Sequence, residues 1–388
     1  MKEASLVIVA AGKGERAGGA GGTAKQFRPL SGIPLWKWSA SAGERLFNRN
    51  VLHECILVVP ESAVESVRRE TLGWKIPFSV VPGGAERQES VVRGIRAASR
   101  EYVLVHDGAR PFLSGALVER LLESLTDEYG VAPLLPVSDA LKKTGEDGTF
   151  SPFPREGLWL TQTPQAFHRE KLLSVLQTHG GGAKDEAEAW IAAGHPLRSV
   201  RGERKNIKIT WEEDFSLAEL YVQRTFRTGT GYDVHPLVPG RRFILGGVDF
   251  PDFPLGFAGY SDGDVLVHAV CDALLGAAGL GDIGTLYPAG NPAFKNISSL
   301  LLLADTAERV TDAGWTLEWS DSVICAQEPK LAASLSRMVS KMEEVLLETW
   351  RGRVHLKVKS GEHVGPVGYS HCIVCYSNAT LWKPLDII

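Results

Sequence analysis

The chain has 388 residues, 44% of them apolar and 23% charged, with a formal net charge of −4. That length exceeds a typical single domain, and each half holds enough apolar residues for a core of its own. The slightly acidic balance excludes a nucleic-acid-coating protein. The first apolar run, 6–10, reads as a buried strand ending in the glycine turn Ala10-Ala11-Gly12-Lys13-Gly14-Glu15-Arg16. Further strand runs at 55–59, 78–81 and 102–106 alternate with helical stretches such as 63–72 and 88–99. Continuous apolar strands separated by helices predict an α/β, Rossmann-like domain. Its mostly parallel twisted sheet is covered on both faces, and ligands bind beyond the carboxyl ends of its strands. Gly12 and Asp107 stand at such ends. A helix is expected at 212–225, broken by Arg227-Thr228-Gly229-Thr230, with a new strand from Gly231. The boundary is placed at 226, giving domains 1–226 and 227–388. In the second half, strands are expected at 241–245, 315–326, 354–359 and 372–381. Helices are expected at 261–280, 298–313 and 331–350, an α+β arrangement. The five cysteines form no disulfide framework. Cys372 and Cys375 have metal-like spacing, but they sit on opposite faces of an apolar strand and read as structural. No signal-peptide pattern or 18-residue apolar span is present, so a soluble, cytoplasmic chain is expected, with neither membrane nor nucleic acid as partner.

A glycine turn after a strand lets backbone N–H groups approach a phosphate closely. Gly12-Lys13-Gly14-Glu15-Arg16-Ala17 fits a dinucleotide pattern, but the acid expected about 20 residues on is missing, and Trp36-Lys37-Trp38 stands there instead. Lys13, Arg16 and Lys25 make the region basic, which suits a triphosphate, yet no Walker motif closes it. For the glycines alone, a plain tight turn with surface charge stays open. Gly83-Gly84-Ala85-Glu86-Arg87-Gln88-Glu89-Ser90 adds a second glycine turn before a helix. His106-Asp107-Gly108-Ala109-Arg110 places an acid where it could hold Mg²⁺ or a ribose. Thr161-Gln162-Thr163-Pro164-Gln165 and Asn206-Ile207-Lys208-Ile209-Thr210 add polar groups and another cation.

This ordered set, over about residues 4–225, resembles the 2-C-methyl-D-erythritol 4-phosphate cytidylyltransferases. The resemblance implies transfer of CMP from CTP to methylerythritol 4-phosphate, with pyrophosphate released and Mg²⁺ on the triphosphate. It implies transition-state charge on Arg16 and Lys25, the α-phosphate on Lys208, and the incoming methylerythritol phosphate on Arg155. Ala10, Ala11, Gly12, Gly14, Gly83, Arg87, Ser90 and Asp107 would line the nucleotide, with Gly83 and Ser90 at the cytosine; Arg110 and Thr163 would face substrate. The attacking phosphate is already an anion, so the task is positioning and charge rather than general-base catalysis. Ala140, where the family usually has threonine, Ala17 in place of methionine, and the glycine-rich stretch 18–22, expected to be mobile when empty, are departures.

In the second half, Asp233 and His235 share a strand face. His268 lies on the helix expected after Ser261, with Asp264 and Asp272 on the same side. Two imidazoles and a carboxylate with an open fourth position suit catalytic zinc, although an Asp-x-His pair alone also describes a hydrogen-bonded couple. The strings GYDVH, LGG, SDGDVLVHAVCDALLGAAGLGDIG, NPAFKN, AQEPKL and VKSGEHVG resemble the 2-C-methyl-D-erythritol 2,4-cyclodiphosphate synthases over about residues 228–385. That implies attack of a 2-phosphate on the β-phosphorus of CDP-methylerythritol 2-phosphate, with CMP leaving. Zn²⁺ would sit on Asp233, His235 and His268, and Mg²⁺ on Glu362. Asp282 would contact the erythritol hydroxyls. Ser261, Asp264, Asp272 and Ser360 would also face substrate, and Ala326, Lys330 and Leu331 would form the cytidine pocket. Tyr260, Tyr369, Ala289 and Lys359-Ser360-Gly361 depart from the family's usual histidine, arginine, aspartate and threonine run. The resemblances imply a homo-oligomer with trimer contacts through the C-terminal domain and active sites between subunits. A kinase step separates the two reactions, so they require no direct channel. Two alternatives are a sugar-phosphate nucleotidyltransferase fused to a metal-dependent phosphohydrolase, and a regulatory protein whose second, nucleotide- and zinc-binding domain is inactive.

Overall fold

The first strand, β1 (Ala4–Val9), carries Leu6 and Ile8 on one face and Val7 on the other, all fully buried. A strand apolar on both faces belongs in the middle of a sheet covered on both sides. The structure, a computed structural model describing residues 2–12, 24–178 and 182–385, places it there. After α1 (Leu35–Asn48) comes β2 (Glu54–Val59), then α2 (Val64–Glu70), β3 (Phe78–Pro82), α3 (Arg87–Ala97) and β4 (Tyr102–Asp107). β1 lies parallel to both β2 and β4, and β3 extends the parallel run beyond β2. Next come α4 (Gly115–Ser124), β5 (Gly130–Pro136), the hairpin of β6 (Leu141–Thr144) and β7 (Phe150–Phe153), β8 (Trp159–Thr161) and β9 (Gln165–His168). The half closes with α5 (Arg169–Thr178), α6 (Glu186–Ala192), β10 (Leu197–Arg201) and α7 (Glu213–Tyr221). The main sheet runs β8-β5-β9-β4-β1-β2-β3, with β10 paired to β5 and antiparallel pairing confined to β8 and β9. Leu6 and Ile8 join one core, and Val7 joins the other beneath α3 and α5.

The chain divides into two compact units, residues 2–223 and Arg224–Leu385. The helix expected to 225 stops at Tyr221, and the break expected at 227–230 is absent, because Arg224–Pro239 forms one 16-residue strand, β11. Thr225, Phe226, Thr228 and Thr230 favour a pleated surface. Their pairing with β15 (Cys372–Pro384) runs unbroken from Arg224 opposite Pro384 to Pro236 opposite Cys372. The strand expected at 241–245 shrinks to Ile244–Leu245 before the turn at Gly246 and Gly247, both at positive φ. With β12 (Leu255–Phe257), β13 (Thr316–Cys325) and β14 (Val354–Lys359), the second sheet has the order β12-β11-β15-β13-β14.

Helix α8 (Val265–Ala278) lies along β11 and β15, α9 (Ser299–Asp312) packs on α8, and α10 (Leu335–Val345) packs against β14. The contact of β11 with α8 is backbone to backbone. A Cβ on Gly231 would fall 1.8 Å from the Ala269 carbonyl oxygen, and one on Gly229 2.2 Å from that of Ala273. Only glycine allows this approach. Phe226, Tyr232, Val234, Trp319 and Tyr376 of this sheet remain exposed.

Candidate functional site

Three strand ends meet at one edge of the first sheet: β1 runs into Ala10, Ala11 and Gly12, β3 into Gly83 and Gly84, and β4 into Gly108. A Cβ on Gly83 would lie 2.2 Å from the Ala11 Cβ and 2.9 Å from Ser90 Oγ, and one on Gly108 2.9 Å from the Ala10 Cβ. Ser90 Oγ accepts from the Gly84 amide (3.0 Å) and donates to the Glu86 carbonyl (3.2 Å), so it holds the second glycine turn in shape. Gln26 donates to the Gly12 carbonyl (2.8 Å), while Lys25 donates to the Ile209 carbonyl. The Lys25-Gln26 pair thus ties the first turn to the 206–210 segment. Gly14 and Arg16, with Lys13, Ala17 and the 18–22 stretch, lie outside the described residues.

Asp107 is the centre of this edge. Its Oδ1 lies 3.1 Å from Arg87 Nη2, and its Oδ2 lies 2.8 Å from Lys208 Nζ and 3.9 Å from Arg110 Nε. Burial alone would raise this carboxyl, but Arg87, Lys208 and Arg110 outweigh it and hold Asp107 well below the usual carboxylate range. Both oxygens of this acid are thus engaged by cations. Behind it, His106 Nε2 donates to the Arg110 carbonyl (3.0 Å), and its Nδ1 takes the hydroxyl of Thr163 (3.2 Å), whose oxygen accepts from the Asp107 amide (3.0 Å). The tautomer follows from these partners. Thr163, expected at the substrate, is therefore a strut of the Asp107 strand end, its hydroxyl committed on both sides. Arg110 donates to the Asn206 carbonyl (2.8 Å), and Asn206 Nδ2 donates to that of Thr163 (2.8 Å). Glu186 bonds Arg87 at 2.7 Å and was not legible beforehand, since an acid after the N-cap Asp185 reads as ordinary helix-end charge. Arg155 is exposed and donates to the Ser138 carbonyl; no hydrogen bond joins it to the Asp107 group among the described residues.

In the second unit, β11 presents Asp233 and His235, and α8 presents His268. Their ligand atoms lie within 4.8 Å of one another. Asp233 Oδ2 is 2.9 Å from His235 Nε2 and 3.0 Å from His268 Nδ1. His235 Nδ1 donates to the Ala258 carbonyl (2.8 Å), which leaves Nε2 as a lone pair. His268 Nε2 faces two hydroxyls, Ser261 (3.1 Å) and Ser299 (2.9 Å). The Ser299 hydroxyl gives its proton to Asp262, so Nε2 of the neutral imidazole donates to Ser299 and its Nδ1 is also a lone pair. When both imidazoles are neutral, their two lone pairs and the Asp233 carboxylate thus converge, a donor set that suits a cation. Burial would raise Asp233, yet the two imidazoles hold it well below its ordinary range; His235 is pushed upward, Asp233 overcoming the effect of burial. Ala258 and Ser299 carried no signal in the sequence: one offers only its carbonyl, the other looks like a helix start.

Residues 4–224 match the family model of 2-C-methyl-D-erythritol 4-phosphate cytidylyltransferase, and residues 226–382 match the YgbB family. The bifunctional enzyme IspD/IspF of Desulfotalea psychrophila (strain LSv54 / DSM 12343) is 36% identical over 391 residues, covering 97% of this chain and 98% of that protein. Its namesake from Anaeromyxobacter dehalogenans (strain 2CP-C) is 36% identical over 383 residues, covering 97% and 96%. This chain belongs to the bifunctional IspD/IspF family. Among solved structures, the bifunctional IspDF from Campylobacter jejuni is 32% identical, covers 98% of this chain and 99% of that one, and has a TM-score of 0.48. Enzymes of the IspD/IspF family are metal-dependent, and Asp233, His235 and His268 form the candidate metal site here. Among the described residues, no helix is long and apolar enough to cross a membrane.

Three residues expected at substrate in the IspF half are instead built into its framework. Asp264 is fully buried, and its carboxylate accepts from the amides of Gly246 (2.9 Å), Gly247 (2.7 Å) and Val267 (3.1 Å), capping α8 and closing the glycine turn. Burial holds it above the usual carboxylate range. Ser261 backs His268, and Asp272 accepts from the Ile283 amide (2.8 Å). Asp282 is exposed and caps the short turn Ile283–Leu286 through the Thr285 amide (2.7 Å). Ala326 and Leu331 are buried, and the Ala326 amide donates to the Lys359 carbonyl (2.9 Å); Lys330 is exposed and donates to the Gln327 carbonyl (3.1 Å). Glu362 takes a hydrogen bond from Ser360 and sits at φ +48°, next to His363 at +58°.

Proposed function

We propose that this chain is a bifunctional enzyme of isoprenoid precursor synthesis by the non-mevalonate route. Its first half transfers CMP from CTP to 2-C-methyl-D-erythritol 4-phosphate and releases pyrophosphate. Its second half cyclises CDP-methylerythritol 2-phosphate to methylerythritol 2,4-cyclodiphosphate and releases CMP. The carrying observation is that both families are represented end to end in one chain.

In the first half, Lys25 and Lys208 bring ammonium groups to the edge where the glycine turns leave backbone N–H groups for phosphate, and Arg16 is assigned to the same charge. Lys208 takes the α-phosphate, Asp107 a ribose hydroxyl, and the Gly83 turn with Ser90 borders the cytosine. Arg155, on the exposed turn after β7, takes the methylerythritol phosphate, while Arg110 and Thr163 fix the wall behind Asp107. In the second half, Asp233, His235 and His268 would hold Zn²⁺ and Glu362 would hold Mg²⁺, with Ser360 facing substrate. Such ions, with Mg²⁺ also on the triphosphate of the first half, supply counter-charge to crowded phosphates. Ala326, Lys330 and Leu331 form the cytidine pocket, and Asp282 meets the erythritol hydroxyls. The exposed aromatic sheet face supports a homo-oligomer with trimer contacts through the second half.

The test uses the full-length protein with Mg²⁺ and Zn²⁺. CTP plus methylerythritol 4-phosphate should yield pyrophosphate, and CDP-methylerythritol 2-phosphate should separately yield CMP. Failure of either product to form would overturn the corresponding half of the reading.

A further inference from the structure

Four charges of alternating sign cross the edge of the first sheet: Glu186, Arg87, Asp107 and Lys208. Arg87 Nη1 lies 2.7 Å from Glu186 Oε1, and its Nη2 lies 3.2 Å from Glu186 Oε2 and 3.1 Å from Asp107 Oδ1. Lys208 Nζ is 2.8 Å from Asp107 Oδ2. The Glu186 side chain is 2% exposed, that of Asp107 11% and that of Lys208 43%. The row therefore starts in the interior and ends on an ammonium open to solvent. Lys208 cannot give its full charge to a phosphate while it is committed to Asp107. When it moves, a nearly buried carboxylate loses its shortest partner, and an unpaired buried carboxylate is strongly disfavoured. Arg110 Nε, at 3.9 Å, is beyond hydrogen-bond reach. Arg87 is the donor that stays in hydrogen-bond contact, and its orientation is set by the two-oxygen grip of Glu186.

We propose that Glu186 is a positioning residue for cytidylyl transfer: by fixing Arg87 against Asp107, it lets Lys208 leave Asp107 for the nucleotide. This rests on the reading of Lys208 as a phosphate contact. Without Glu186, Arg87 can turn away, Asp107 depends on Lys208, and the nucleotide must draw that ammonium off a stranded anion.

The experiment measures CTP binding by calorimetry and pyrophosphate release on the full-length chain with Mg²⁺. Glu186→Leu should weaken CTP binding roughly tenfold or more, with kcat at saturating CTP kept within about threefold. Glu186→Gln, which keeps an acceptor facing Arg87, should recover most of the affinity. In a Lys208→Met background, Glu186→Leu should add no further loss. If Lys208→Met alone binds CTP like the parent, the reading of the site fails, and this proposal with it. If Lys208→Met is impaired but Glu186→Leu still adds its full loss, the role of Glu186 fails and the reading stands. Should Glu186→Leu not fold by circular dichroism, Glu186→Gln decides. Folded but losing kcat and affinity for both substrates alike, it would make Glu186 merely structural; parent-like kcat with a modest loss confined to CTP would support the proposal.

Discussion

His106 is fully buried at the end of β4. Burial pushes its imidazole down to about 4, against the opposing pull of the Arg110 carbonyl and Asp107. An unfolded histidine titrates near 6.5, at roughly its unperturbed value. The folded value lies below that, so the unfolded state takes up the extra proton as pH falls from about 6.5 to 4, and stability present above the window is lost within it. The loss reaches on the order of 3 kcal/mol at its foot. His106→Gln should be less stable than the parent at pH 7.5 yet show a shallower decline between about pH 6.5 and 4 in urea melts; parallel curves would acquit His106. Lys25 is only partly buried, and its ammonium donates to a backbone carbonyl. Lys25→Ala should therefore keep the fold while pyrophosphate release drops by about 10² or more. At this scale the sequence was uneven. The role of Lys208 came only with the family resemblance, whereas the grouping of Asp233, His235 and His268 was legible from strand alternation and helix position, as was Asp107 from its strand end. Thr163 as a strut and Glu186 as an anchor were not, because their partners lie far along the chain and no local pattern marks them.

Strand β11 shows how an element is decided by a neighbour. Its glycines look like a break when read locally, yet they are what allows α8 to lie against the strand backbone. Gly231→Ala would drive a methyl into the Ala269 carbonyl and should destabilise the second unit by about 3 kcal/mol or more. Gly276, on α8 itself, is exposed and has nothing within 4 Å of an added Cβ, so Gly276→Ala should be neutral or stabilise by up to about 1 kcal/mol. Denaturant melts of the two variants separate the explanations, and equal effects would contradict the packing account. The parallel strands of the first half were legible because buried strands are continuously apolar. The start of β11 was not, because residues 212–225 keep an ambiguous pattern and the pairing strand, β15, lies at the far end of the sequence.

For the molecule as a whole, two units with separate cores and separate sites predict separable activities. Fragments 1–223 and 224–388 should each be soluble and folded, the first releasing pyrophosphate; aggregation of both would contradict the division. The uncovered ring-rich face bearing Tyr232 and Tyr376 predicts self-association, and Tyr232→Glu with Tyr376→Glu should lower the mass found by light scattering. Nothing in a single sequence shows such a face, because alternation along a strand marks two sides without saying what covers the second. The glycine contact of β11 has a last consequence. His268 rides on α8, and Asp233 and His235 ride on the strand pressed against it, so the donor atoms belong to one rigid block. The socket is cut before any ion arrives. Dialysis against a chelator should abolish CMP release and lower the melting temperature, since the ion binds only the folded state, while the circular dichroism of the native chain stays unmoved, and returning the ion should restore turnover at once, as a key returns to a lock that never lost its shape.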